Sequence, residues 1–296
     1  MDLGDASNSS ALTMLEWPFI LVPLYIYPTS TSWSSLFSAA RSHPGLQFIA
    51  VVNPNNGPGS APSPDINYTA ALRELSTLSN IRILGYIFCS YGERALVEME
   101  RDILVYYGWT ARRGCGSGLP VDRDQTTTQT IRMDGVFFDE APSASEHVNY
   151  MAHISKAARK TLQNAESTII IYNPGIFVDQ AFYESADYVA VFENRAAAWD
   201  SPYVCANLAM LPESLRGRSV AISHSAGCVN EQLQFARDVV TTAGFAGHFA
   251  TAASGQRKAN FEGAVDDENV CAWLWDEDLT ETEKEAEEKA AEKRCG

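Results

Sequence analysis

Paired cysteines, glycine-rich phosphate loops and long apolar runs are all missing from this chain, and each absence removes a class of protein. The six cysteines, at 89, 115, 205, 228, 271 and 295, include no CxxC pair, which argues against a zinc site. They read as buried free thiols, and a disulfide at Cys115 or Cys205 stays compatible with an exported protein. No GxGxxG turn or GxxxxGK[ST] loop follows a strand-like run, so neither a dinucleotide nor a nucleoside triphosphate fold is indicated. No stretch approaches the roughly 20 apolar residues needed to span a bilayer. Basic residues are also scarce. Lys and Arg number 22 against 37 Asp and Glu, a net charge of -15, of which the nine acidic and four basic residues from Asp276 to Gly296 supply -5. An acidic body repels nucleic acid and anionic membrane, and a neutral or cationic substrate suits it better. The N-terminal MDLGDASNSSALTMLEW lacks a basic region and a continuous apolar core, so no secretory signal is expected, and the compartment is left open.

What is present is a chain of 296 residues with 46% apolar content, enough for a large buried core. Eight strand-like runs occur at 19–27, 46–53, 82–91, 135–140, 167–173, 188–194, 219–224 and 247–252. Most are nearly continuous apolar stretches, as expected of strands covered on both faces of a parallel sheet. Helix-like segments lie between them. In one, Leu96, Met99, Ile103, Leu104 and Tyr107 recur at spacings of three and four, which sets them on one helical face. Eight strand–helix repeats in roughly 250 residues predict an α/β fold of the (β/α)8 TIM barrel type. The expected boundaries are a polar segment over 1–18, the barrel over 19–275 and a charged helical tail over 276–296. A monomer without cofactor or metal is expected.

In such a barrel the working residues stand at the C-terminal strand ends. There the chain places Tyr25 and Tyr27, then Asn53, Tyr86 and Tyr91, Asp139 and Glu140, Tyr172 and Asn173, Glu193 with Asn194, and His224. Two carboxyl groups from separate strands are what glycoside hydrolysis requires, and Asp139 or Glu140 with Glu193 supplies them. The tyrosines offer flat faces to sugar rings, while Asn53, Asn173 and His224 offer hydrogen bonds to hydroxyl or acetamido groups. A blander reading stays open for each: the DE pair as a solvated loop mouth, the tyrosines as packing, Asn173 before Pro174-Gly175 as a turn residue, His224 as structural. Glu193 is harder to treat so, because it ends the apolar run YVAVF, where a charge is costly unless it faces a polar cavity. A metal held by Asp139, Glu140, Glu193 and His224 has suitable ligand types, but no HxH or HxxxE spacing supports it.

PLYIYP, VVNPNNGPGSAPSPDINY, GYIFCSYG, the RDILVYYGW run, DGVFFDEAP, YNPG, ADYVAVFEN and the ISH strand, in that order between about residues 20 and 254, together resemble the spherulin 4 family. That family is grouped with glycoside hydrolase family 135. The resemblance implies a (β/α)8 barrel and, from fungal relatives, endo-acting cleavage of α-1,4-linked N-acetylgalactosamine in the cell-wall polysaccharide galactosaminogalactan; the expectation for this chain is a retaining hydrolase. It places the family's acidic motif on Asp139 and Glu140 and its second acidic position on Glu193. Cys89 and Ser90 depart from the pattern, where a small polar residue such as threonine is expected beside the tyrosine. Relatives act outside the cell or at its surface. The division expected within the site is Asp139 as nucleophile, Glu193 as acid/base and Glu140 as a positioning or tuning group. The alternative is an inactive spherulin-like protein that binds carbohydrate or accumulates during encystment or stress.

Overall fold

A computed structural model describes residues 18–110, 130–162 and 167–252. Residues 1–17, Cys115, Cys271, Cys295 and the charged tail lie outside them. All eight expected strands are present: β1 (Phe19–Leu24), β2 (Gln47–Val52), β3 (Ile81–Phe88), β4 (Gly135–Asp139), β5 (Ile169–Asn173), β6 (Tyr188–Arg195), β7 (Ser219–His224) and β8 (Gly247–Ala250). Every neighbouring pair is parallel, and they close in sequence order into one barrel. The strands bury nearly every side chain on both faces, which is why their sequences are continuous apolar runs in place of alternating ones.

Seven α-helices occur among the described residues, in chain order: α1 (Ser34–Ser42), α2 (Ile66–Thr77), α3 (Leu96–Thr110), α4 (Val148–Thr161), α5 (Pro202–Met210), α6 (Glu213–Arg216) and α7 (Val229–Arg237). Their starts are legible locally. Asp65 caps α2 by accepting from the amides of Asn67 and Tyr68, both at 2.9 Å, and α5 begins with Ser201 as cap and Pro202 in its first turn, where the missing N–H costs nothing. Two helix expectations change. VDQAFYESA, between β5 and β6, forms only a short 3-10 turn, Gln180–Glu184, which buries Phe182 and Tyr183. The long segment after β6 is split, because Pro202 and Pro212 begin new elements and proline cannot continue a helix through its own position. No helix among the described residues is long and apolar enough to cross a membrane.

The barrel interior is filled from below by rings. Phe19 of β1 and Tyr188 of β6 meet edge to face at 4.9 Å although their strands are not neighbours. Both therefore point inward. On the outside, Tyr106 of α3 lies flat on Gly85 of β3, where any Cβ would come within 2.6 Å of the ring. The Tyr106 hydroxyl donates to the carbonyls of Val52 and Tyr86 at 3.1 and 3.0 Å. A fully buried aromatic of this size contributes about 2–3 kcal/mol, and here it also ties the upper ends of β2 and β3 together. Of the cysteines, Cys89 is a buried free thiol, but Cys205 is half-buried and Cys228 exposed at the start of α7. Those two correct the expectation of buried thiols.

Candidate active site

Inward and outward positions follow from alternation along each strand. With Phe19 inward, Tyr25 continues the inward series of β1. In β4 and β5, Phe138 and Tyr172 meet outside the barrel with ring centroids 6.0 Å apart, so Asp139 and Asn173, register partners, both face inward. Strand β6 needs one more device. Tyr188 is inward, so plain alternation would send Glu193 outward. A bulge between Ala190 and Phe192 inserts one extra residue against β7, and beyond it Phe192 packs outward on Trp199 and Phe235. Glu193 is thereby turned inward. Gly175, with φ +68, supports the bulge: its N–H donates to the Ala190 carbonyl at 3.1 Å and its carbonyl accepts from the Glu193 N–H at 2.9 Å.

The result is a compact acidic cluster. The Asn173 amide nitrogen donates to Asp139 Oδ1 at 2.7 Å and to Glu193 Oε2 at 2.6 Å. A single nitrogen joins both carboxylates, so those two oxygens lie within about 5 Å of each other. The Tyr86 hydroxyl donates to the other Asp139 oxygen at 2.7 Å, and Tyr25 stacks edge to face on Tyr86 at 5.3 Å. The Asn173 oxygen is buried without a partner among the described residues. An orphaned acceptor costs about 1–3 kcal/mol, and two carboxylates facing the nitrogen hold the amide in that orientation.

The electrostatics separate the two acids. Burial raises the Asp139 carboxyl, but hydrogen bonds from Tyr86, Asn173 and the Glu140 backbone favour its ionised form. Glu193 is pushed up to about 7, first by burial, then by the charge of Asp139, with a further contribution from Glu140. Glu193 keeps one side in solvent at the barrel mouth while protein hems in its carboxylate elsewhere, and that enclosure raises it first. The repulsion belongs to the pair, and the member that ionises second carries it. Burial and the same carboxylates raise the hydroxyl of Tyr25 as well.

The rim loop after β3 is held in an unusual shape. Ser90, Tyr91 and Gly92 have φ of 49, 52 and 92, and Glu140 has φ 47, conformations that cost non-glycine residues about 1–2 kcal/mol each. The strain is locked by backbone bonds from Cys89 N–H to the Asp139 carbonyl at 2.9 Å and from Tyr91 N–H to the Glu140 carbonyl at 2.7 Å. Arg94 adds bonds to the Phe88 carbonyl and to Asp102 at 2.9 and 2.6 Å. Tyr91 is left 62% exposed, and its hydroxyl feels Glu140, Asp139 and Glu193.

The structure thus brings together Tyr25, Tyr86, Asp139, Asn173 and Glu193, with Glu140 and Tyr91 at their edge. Others lie apart. Tyr172 is fully buried on the outer face, its hydroxyl engaged with Ser155, Ser185 and the Met151 carbonyl. It cannot touch a substrate, because it stands one residue from inward Asn173. Tyr27 sits exposed against Tyr68, its hydroxyl accepting from Asn67 at 3.0 Å. Asn53 accepts from the Gly57 N–H at 2.9 Å and shapes the loop after β2. His224 stands at the end of β7 beside Ser225. Arg195, two residues beyond Glu193 on the same face, was not singled out from the sequence, although that alternation was its signal. Among the described residues no three His, Cys, Asp or Glu side chains are grouped to hold a metal ion.

Comparison with known proteins agrees with the fold. The model of the spherulation-specific family 4 matches residues 19–267. Spherulin-4 of Physarum polycephalum is 29% identical over 210 residues, 70% of this chain and 55% of that protein, so the chain spans about half the length of this relative. The crystal structure of Aspergillus clavatus Sph3 in complex with GalNAc superposes with a TM-score of 0.69 at 26% identity, over 88% of this chain and 99% of that one.

Proposed function

The chain belongs to the spherulation-specific family 4, and from that premise we propose that it is a retaining glycoside hydrolase acting on an α-1,4-linked, N-acetylgalactosamine-containing polysaccharide. The observation that carries the reading is the Asn173 bridge. Carboxyl groups roughly 5–5.5 Å apart fit the retaining mechanism, whereas inversion needs roughly 6.5–9.5 Å to admit a water. The bound of about 5 Å between the bridged oxygens favours the first. The sugar class rests on the complex of Sph3 with GalNAc.

In this mechanism Glu193, which holds its proton to about 7, donates it to the glycosidic oxygen as the bond to the anomeric carbon breaks. Asp139, kept ionised by Tyr86 and Asn173, attacks that carbon and forms a glycosyl ester. Water then adds to the same carbon, giving its proton to the Glu193 carboxylate and releasing Asp139. Glu140 acts through charge, raising Glu193. Tyr27 and Tyr91, 48% and 62% exposed on the loops after β1 and β3, offer faces on which further sugars of a long chain stack, which suits endo-acting cleavage.

The test is incubation with purified galactosaminogalactan followed by mass spectrometry of the products. Release of internal oligosaccharides, lost in Asp139→Asn and in Glu193→Gln, supports the proposal. Polymer binding with no product would leave the inactive carbohydrate-binding reading in its place.

A further inference from the structure

One stretch of the rim gathers apolar side chains that the proposed chemistry leaves unused. Gly175, after β5, lies against Glu193: a Cβ on it would stand 3.2 Å from the Glu193 Cβ and 3.7 Å from Oε2, and the Glu193 N–H donates to the Gly175 carbonyl at 2.9 Å. Ile176 and Phe177 come next, within about 7 Å of chain. Tyr203 meets them from the first turn of α5, its ring edge to face with that of Phe177 at 6.3 Å. That turn is fixed by the Ser201 hydroxyl, which accepts from the Val204 N–H at 3.4 Å, and by Pro202. Since β6 runs into α5, the helix begins at the same end of the barrel as Glu193. Phe177 is half-buried on the core, whereas Ile176 and Tyr203 are 46% and 54% exposed. Singly exposed apolar residues are ordinary, but a contiguous group beside a pair of acids marks a contact surface.

Resting on the hydrolase reading above, we infer that Ile176, Phe177 and Tyr203 form the subsite for the departing part of the polysaccharide, with Tyr203 as its stacking face. The order of strands around the closed barrel gives the side. Exposed Tyr91 follows β3 and flanks Asp139 of β4, while the Phe177–Tyr203 pair follows β5 and β6 and flanks Glu193. Glu193 gives its proton to the glycosidic oxygen, and that oxygen leaves with the sugars behind it. The departing sugars therefore lie on the Glu193 side. A galacto-configured ring turns its C3, C4 and C5 hydrogens to one apolar face because O4 is axial, and such a face packs on an aromatic ring. Tyr203 stands on a helix and is braced by Phe177, so little side-chain freedom is lost on binding. The subsite also decides where the chain is cut, because it favours bound registers in which more than one sugar extends past Glu193.

The test titrates N-acetylgalactosamine and its α-1,4-linked hexasaccharide by ligand-observed NMR, in a Glu193→Gln background where the oligomer is not consumed. Adding Tyr203→Ala should weaken the hexasaccharide about threefold to tenfold, the range of one aromatic contact, and leave the affinity of the monosaccharide, held at the acid pair, as it was. Adding Tyr203→Phe should keep both affinities, since the ring face and not the hydroxyl makes the contact. Unchanged hexasaccharide binding in Tyr203→Ala, equal weakening of both ligands, or an equal loss in Tyr203→Phe overturns the inference. With Glu193 intact and a label on the reducing end of the hexasaccharide, the wild type should release labelled fragments longer than one sugar, and Tyr203→Ala should shift them toward the single sugar. An unchanged distribution overturns the side assigned to the subsite. The expected binding pattern without any cleavage by the wild type would refute the hydrolase proposal and leave the stacking role of Tyr203 standing.

Discussion

Glu193→Gln should change how stability depends on pH, with no substrate present. In the fold the Glu193 carboxyl is raised from 4.5 to about 7. Between those values the native protein keeps a proton that the unfolded chain has released, so this group's contribution is full below about 4.5 and is lost as pH rises through 7. Glutamine has nearly the same shape, is neutral throughout and still accepts from the Asn173 amide. The variant should match the wild type near pH 4 and become the more stable protein above pH 7. The size is discounted because one side of Glu193 meets solvent, which screens its charge: about 1 kcal/mol is expected, or about 2–4 °C in melting temperature for a domain of this size. Urea unfolding at about pH 4, 6 and 8 reads the difference directly, and the titration of groups outside the acidic cluster cancels between the two proteins. A difference that stays constant with pH, or shrinks as pH rises, would refute the placement of Glu193 in an acidic, partly desolvated cluster.

His248 should show the opposite slope. It is fully enclosed with neither ring nitrogen partnered among the described residues, and burial lowers it from 6.5 to about 4. Wild-type stability is therefore lost as pH falls from 6.5 to 4, and His248→Leu should gain on it by up to about 3 kcal/mol at the acid end, measured by the same unfolding series; a pH-independent difference would count against it. Tyr86→Phe removes a donor from ionised Asp139, so the acid limb of kcat/KM should move up by about one unit, and an unmoved limb would show that Asp139 does not set it. Asp139→Asn and Glu193→Gln should each lower kcat by about a thousandfold or more with polymer binding kept. Near wild-type rates in both would remove the catalytic assignment, and loss in Glu140→Gln with retention in Asp139→Asn would exchange those two roles.

The barrel was legible in the chain because burial on both faces demands apolar strands, and eight such runs separated by helical spacings have few ways to close. The polar ends of those runs likewise named Asp139, Glu140, Asn173 and Glu193 as neighbours at one mouth. Alternation could say that Tyr172 and Asn173 face opposite ways, but not which one faces in. That was decided by closure against β4 and by the contacts Tyr172 makes with α4. Nor could local sequence announce the bulge after Ala190, since an extra residue in β6 has meaning only against its partner β7. Without that residue Glu193 and Arg195 would point at the helices. One inserted position, visible only in the paired strands, sets both the acid beside Asp139 and the cation beside His224, because side-chain direction in a sheet is a property of register and no single strand contains its own.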